Sequence, residues 1–295
     1  MKNIIVKVIK SVFGFFGVNV IFRRKNYSNK VLKTRFNNDF SYDTKSNQSV
    51  VIFLCVGLDT IRFVLNSVMS FRAVDSKTKI IIFTNHRDSF EEFRVQLSME
   101  IESLDIHTNE TYDQYHDINS DSFKEITRHK WLIIKRAFQL GYKRVIYSDF
   151  DIFFMDNFND YIDQISDTYP ILIQSEGLRF YPQAVCTGFM VIDSGCVFVV
   201  DKLIELSIEY PYTEDQQLFN EFLLANEEIR NRVFVLPESL FVNGSNWKLF
   251  STQVVNNESL FPSLSQSFMF HANFVVGLSA KRELLKELNM WKIRE

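Results

Sequence analysis

The sequence predicts an α/β protein with a mostly parallel central sheet flanked by helices. Two observations predict this fold: continuous apolar runs that are typical of buried strands, and their alternation with segments of helical period. The composition suits a globular core, because 46% of the 295 residues are hydrophobic and 23% are charged. The net charge of -3 argues against a nucleic-acid partner.

The predicted elements follow one another along the chain. Three apolar runs predict strands, at residues 50–56, 79–84 and 144–148. Three segments with apolar residues on one face predict helices, at residues 61–71, 90–97 and 122–139. Gly141 is expected to close the last helix. This order indicates βαβ units, which bind ligands at the carboxyl ends of their strands.

The N-terminal segment, residues 1–25, is apolar and carries basic residues. Lys7 and Lys10 leave about a dozen uninterrupted apolar residues, fewer than the roughly 20 of a membrane span. We expect an amphipathic helix on a membrane surface, and a helix packed on the protein's own core is the alternative. Residues 26–48 are polar and predict a linker, and residues 49–295 predict one domain.

Three cysteines without close pairing argue against a disulfide scaffold and favour a reducing compartment. We therefore expect a cytoplasmic protein, peripheral on the cytosolic face of a membrane if residues 1–25 bind lipid.

Two aspartates in RVIYSDFDIFF (residues 144–154) indicate a metal site. Asp149 and Asp151 stand where a buried strand ends, and in extended chain residues two apart point the same way. Burying two like charges together is costly unless a positive group lies between them. A divalent cation with a nucleoside diphosphate as its second ligand would fit, and a solvated acidic turn is the alternative.

Four stretches in order resemble the GT-A nucleotide-diphospho-sugar transferases. FQLGYKRVIYSDFDIFFMDNF is similar to their signature of helix, Gly-Tyr, strand and DxD. Three later stretches agree with it: CTGFMVI (186–192), EDQQLFN (214–220) and HANFVVGLSAKRELLKELNMW (271–291). Among these enzymes the chain resembles the family of plant cell-wall xylosyl- and arabinosyltransferases and a slime-mould galactosyltransferase.

The resemblance implies roles at the matching positions. The metal ligands would be Asp149, Asp151 and His271. The donor-binding residues would be Lys130, Asp149, Gly188, Gly277 and Lys281. Asp215 and Gln216 would border the reacting sugar, whereas the local alternative is a helix capping box of Thr213 and Gln216. Lys130 has its own alternative, a solvated helix lysine. Cys186 replaces an asparagine that the family usually places there, so the donor sugar is open.

The resemblance thus implies a glycosyltransferase that uses Mn²⁺ (or Mg²⁺) and a nucleotide-sugar, a UDP-sugar by preference. The sugar would pass to a glycan, glycolipid or other hydroxyl acceptor with retention of configuration. Two rivals stay open. A haloacid-dehalogenase-type phosphatase also places DxD after a strand, but it wants Thr or Val where Phe153 stands. The other is a catalytically inactive scaffold or sugar-binding protein of the same fold at a membrane.

Overall fold

The computed structural model describes residues 48–104, 120–177, 184–245, 254–255, 258–259 and 264–294. The predicted N-terminal helix, and the predicted linker up to residue 47, lie outside the described residues. Within these ranges no helix is both long and apolar enough to cross a membrane.

The strands carry labels in chain order. They are β1 (Ser49–Cys55), β2 (Lys79–Thr84), β3 (Met99–Ser103), β4 (Arg144–Ser148), β5 (Ile152–Phe154), β6 (Ile171–Ser175), β7 (Val185–Asp193), β8 (Val233–Leu236), β9 (Phe241–Asn243), β10 (Val254–Val255), β11 (Glu258–Ser259) and β12 (Met269–His271). The central sheet has the order β3-β2-β1-β4-β7-β6-β8. Strand β7 pairs antiparallel with β4 and with β6, and the other described strand pairs of this sheet are parallel. The predicted mostly parallel sheet is confirmed.

Two smaller sheets complete the β structure. In one, β12 pairs antiparallel with β5 and parallel with β9. In the other, β10 pairs antiparallel with β11. The three-stranded sheet matters for the site, because it places the end of β12 beside the start of β5.

Helices flank the central sheet. They are α1 (Ile61–Val74), α2 (Asp88–Arg94), α3 (Asp121–Gln139), α4 (Asn159–Ser166), α5 (Val197–Glu209), α6 (Asp215–Ala225), α7 (Glu227–Arg230) and α8 (Leu278–Glu287). Alternate residues of β1 belong to two separate cores, as strand geometry requires. Ile52 packs in one core with Trp131 of α3, and Phe53 in the other with Phe71 of α1. Helices on both faces therefore bury the sheet.

The predicted elements are mostly confirmed, with two differences before α3. The helix expected at residues 90–97 is α2, which ends at Arg94, because the chain turns through Ser98 at a φ of 47°. Strand β3 then follows, and sequence analysis missed it. Its signal was the alternation of buried Met99 and Ile101 with glutamates, a period of two that the charges obscure.

Candidate active site

The acidic pair lies in the turn between β4 and β5. Asp149 follows β4, Phe150 and Asp151 form the turn, and Ile152 begins β5. The expectation that strand alternation aligns the two carboxylates is therefore wrong. The chain here leaves the central sheet for the three-stranded sheet, and the backbone N–H of Asp149 donates to the Gly188 carbonyl at 2.7 Å.

His271 completes a cluster with the two aspartates. It ends β12, where it pairs with Ile152 of β5. Its Nε2 lies 3.2 Å from Asp151 Oδ1 and 3.8 Å from Asp149 Oδ2. One ligand atom from each residue falls within 4.8 Å of the others. The three residues predicted as metal ligands are thus brought together.

The two carboxyl groups differ in their charge environment. Burial raises the pKa of Asp149 above its ordinary value, although Lys130 and His271 oppose that change. Burial acts in the same direction on Asp151, but Lys281 and His271 outweigh it and hold its pKa well below the ordinary range. Lys281 forms a buried ion pair with Asp151. Two carboxylates and an imidazole nitrogen that face one another form a donor set suited to a divalent ion.

Lys130 lies beneath this cluster and is 3% exposed, so the alternative of a solvated helix lysine is wrong. Its Nζ donates to Asp215 Oδ2 at 2.6 Å and to the carbonyl and hydroxyl oxygens of Thr187 at 3.0 and 3.1 Å. It also lies 3.8 Å from Asp149 Oδ1. Burial disfavours the ammonium, but the charges of Asp149 and Asp215 prevail and raise the Lys130 pKa. Lys130 therefore links Asp149 of the predicted metal site to Asp215, which was predicted to border the sugar.

Asp215 and Gln216 open α6 and face β7. Asp215 accepts a hydrogen bond from Thr187 Oγ1 at 2.7 Å, and Gln216 Oε1 accepts from the Thr187 N–H at 3.3 Å. The capping box of Thr213 and Gln216 is not formed: the residue that caps the start of α6 is Glu214, and its side chain makes no capping hydrogen bond. The side chains of both residues that were predicted to border the sugar thus accept hydrogen bonds from β7.

The two glycines predicted to bind the donor, Gly188 and Gly277, are required at their positions for different structural reasons. A Cβ on Gly188 would overlap the His271 ring and lie 2.8 Å from Asp149 Oδ2, so only glycine fits there. Gly277 precedes α8 with a φ of 87°, a conformation that favours glycine. Among the described atoms, none would lie within 4 Å of a Cβ on Gly277.

Sequence analysis missed two residues near this cluster. Gln174 Oε1 lies 2.8 Å from His271 Nδ1. Glu176 forms hydrogen bonds with Gln216 and Cys186, and burial raises its pKa to about 7. Cys186, the position that departs from the family pattern, has its Sγ 3.9 Å from His271 Nδ1. Neither Gln174 nor Glu176 carried a sequence signal. A bulge in the pairing of β6 with β7 places Gln174 here, and Glu176 directly follows the last residue of β6.

The comparison with protein families defines the class. A model of the nucleotide-diphospho-sugar transferase family matches residues 88–285, more than half of the chain. This chain belongs to the nucleotide-diphospho-sugar transferase family. The matched range holds every residue predicted for the site. No curated protein matches the chain.

Several solved structures share the fold. The apo form of the glycosyltransferase GlyE of Streptococcus pneumoniae TIGR4 is 15% identical at a TM-score of 0.57, and the match covers 84% of this chain and 61% of GlyE. This chain thus spans less than two thirds of GlyE. A glycosyltransferase involved in the glycosylation of the major capsid of PBCV-1 is 11% identical at a TM-score of 0.53, over 81% and 99% of the two chains. The galactosyltransferase LgtC, in complex with donor and acceptor sugar analogs, is 11% identical at 0.52, over 83% and 97%. At these identities the likeness concerns the fold, which is that of GT-A glycosyltransferases.

Proposed function

We propose that the protein transfers a sugar from a nucleotide-sugar, a UDP-sugar by preference, to a hydroxyl group of a glycan or glycolipid. The observation that carries this proposal is the convergence of Asp149, Asp151 and His271 at the end of β4, with ligand atoms within 4.8 Å of one another. Family membership supports the nucleotide-sugar as donor.

Asp149, Asp151 and His271 would hold the metal ion. Their mixed carboxylate and imidazole set favours Mn²⁺, with Mg²⁺ as the alternative. When bound, a divalent ion supplies positive charge that neutralises the departing diphosphate. Lys281, which pairs with Asp151, would add a second positive group that stabilises the departing diphosphate.

The resemblance implies retention, and the buried contacts of Asp215 argue against this residue as a covalent nucleophile. Lys130 and Thr187 both donate to Asp215 Oδ2, so this oxygen is engaged with the protein. We propose same-face attack instead. The acceptor oxygen bonds to the anomeric carbon, the bond from that carbon to the phosphate oxygen breaks, and the acceptor proton passes to the departing phosphate. NMR of the product would overturn this if the anomeric configuration were inverted.

The first experiment is a panel of nucleotide-sugars with the purified protein and Mn²⁺, Mg²⁺ or EDTA. Thermal stabilisation and hydrolysis are measured together for each donor. We expect one UDP-sugar to stabilise the protein and to be hydrolysed in Mn²⁺ but not in EDTA. If no nucleotide-sugar binds in the presence of either metal ion, the proposal of an enzyme fails, and the alternative of a non-catalytic protein of this fold is favoured.

The membrane proposal is tested separately. We propose that residues 1–25 hold the protein on the cytosolic face of a membrane, where a lipid-linked glycan would be within reach. The full chain and a chain without residues 1–25 are sedimented with anionic phospholipid vesicles. Binding by the full chain alone supports the proposal, and equal behaviour of the two chains overturns it.

A further inference from the structure

Gln174 occupies an irregular point of the central sheet. Pairing between β6 and β7 steps from Ile173 opposite Met190 to Gln174 opposite Cys186, so β7 bulges between them. Bulges often re-aim a side chain beside an active site. Gln174 is completely buried, and its side chain reaches toward both β9 and β12.

The contacts of Gln174 determine which way its amide faces. Its Nε2 donates to the backbone carbonyls of Phe241 at 3.2 Å and Val242 at 3.3 Å. Carbonyl oxygens only accept hydrogen bonds, so the NH₂ group must face β9. The amide oxygen is thereby directed to the opposite side, toward His271.

The direction of this amide determines the hydrogen position on His271. Gln174 Oε1 lies 2.8 Å from His271 Nδ1, and an amide oxygen only accepts. Nδ1 must therefore carry the hydrogen. In the neutral ring the lone pair is then on Nε2, which faces Asp149 and Asp151, so this contact is favourable only when Nε2 binds a proton or a metal ion.

We propose that Gln174 is a positioning residue that holds His271 in the Nδ1–H tautomer, with Nε2 directed at the two aspartates. The chain of contacts runs from the β9 carbonyls through the Gln174 amide to the imidazole. Partners of this kind set the orientation and basicity of histidines that bind metals. The tautomer itself does not depend on the proposed function, whereas its consequence for metal affinity rests on it.

The direct test is ¹⁵N NMR of the imidazole nitrogens in the metal-free full chain, at a pH that leaves the ring neutral. His271 is assigned by comparison with His271→Asn. We expect hydrogen on Nδ1 in the wild type and loss of that preference in Gln174→Met, which keeps the side-chain length but removes the acceptor. Gln174→Glu keeps an acceptor for Nδ1 and should restore the preference. An unchanged tautomer in Gln174→Met would overturn the inference.

A matched control separates positioning from general loss of a buried amide. Asn66 is also buried, but its side chain donates to the Met290 carbonyl and accepts from the Lys292 N–H instead of contacting His271. Asn66→Leu should lower the melting temperature and leave the His271 tautomer unchanged. If it shifts the tautomer as much as Gln174→Met does, the effect is not specific to Gln174 and the inference fails.

Mn²⁺ titration by calorimetry then tests the consequence. We expect Gln174→Met to weaken Mn²⁺ binding about 10- to 100-fold and Gln174→Glu to recover most of it. A wild type that binds no Mn²⁺ but shows the Gln174-dependent tautomer would refute the metal part of the proposed function and uphold the tautomer inference. Equal Mn²⁺ affinity in the wild type and Gln174→Met would overturn the coupling of Gln174 to the metal.

Discussion

Lys130 Nζ lies 2.6 Å from Asp215 Oδ2, and both side chains are buried although 85 residues separate them in sequence. The pair joins α3 to the first residue of α6. Asp149 lies on the other side of the same ammonium, at 3.8 Å. One lysine therefore compensates the charge of two buried or partly buried acids.

Lys130→Met should destabilise the protein by about 3–5 kcal/mol, because it leaves Asp215 as an uncompensated buried charge. Chemical denaturation measures the change. Adding Asp215→Asn to this variant should recover part of the loss, since it removes the uncompensated buried charge of the broken pair.

Lys135→Met is the control for this prediction. Lys135 lies on the same helix and pairs with Asp201 at 2.6 Å, but both side chains are about 40% exposed. Exposed pairs contribute at most about 1 kcal/mol. Equal destabilisation by the two lysine substitutions would refute the role of the buried pair.

Asp151→Asn should weaken Mn²⁺ binding and reduce nucleotide-sugar hydrolysis by about 100-fold or more, because it removes charge from the proposed metal site. Calorimetry and a hydrolysis assay measure the two effects. Asp156→Asn changes an exposed carboxylate just after β5 and should leave both unchanged. Full activity of Asp151→Asn would exclude it as a metal ligand.

Gly188→Ala should impair metal binding and lower the melting temperature, because its methyl group would overlap the His271 ring. The matched control is Gly195→Ala, where no described atom lies within 4 Å of the new Cβ. Mn²⁺ titration and thermal melting compare the two variants. Normal Mn²⁺ affinity in Gly188→Ala would show that His271 can move without loss of the site.

Glu176 should make folding stability depend on pH. Burial is the main reason that its pKa rises from 4.5 to about 7, and Glu238 and Glu214 add to the rise against hydrogen bonds from Gln216 and Cys186. The folded state thus binds this proton more tightly than the unfolded state does. The contribution is complete below pH 4.5 and is lost as the pH rises to about 7.

Glu176→Gln removes the pH dependence that Glu176 causes. Above pH 7 the free energy of unfolding of the variant should therefore exceed that of the wild type by on the order of 2 kcal/mol. Melting curves across this pH range measure the difference. Glu228→Gln, at a carboxylate that is 82% exposed, is the control. Parallel pH profiles of Glu176→Gln and the wild type would contradict the assignment.

Local sequence pattern was enough for most of the fold. The predicted strands at residues 50–56, 79–84 and 144–148 match β1, β2 and β4, because a continuous apolar run is a property of neighbouring residues. The ends of helix α3 were predicted closely for the same reason. Its apolar residues recur with a helical period, and Gly141, at a φ of 92°, follows its last turn. Edge strand β3 was missed because its charges interrupt the apolar pattern.

The sequence by itself determined the sheet class, the acidic pair after β4 and, through its resemblance, the three residues of the proposed metal site. The tertiary structure decided how they meet: Asp149 and Asp151 converge through a turn, and β12 carries His271 to them. It alone decided that Lys130 pairs with Asp215 and that the Gln174 side chain contacts His271. The contacts of His271 and Gln174 depend on strand register and on the bulge between β6 and β7, whereas the contact of Lys130 with Asp215 depends on the packing of α3 near α6. Side-chain periodicity reports which face a residue occupies, and it carries no information about which distant residue it will contact.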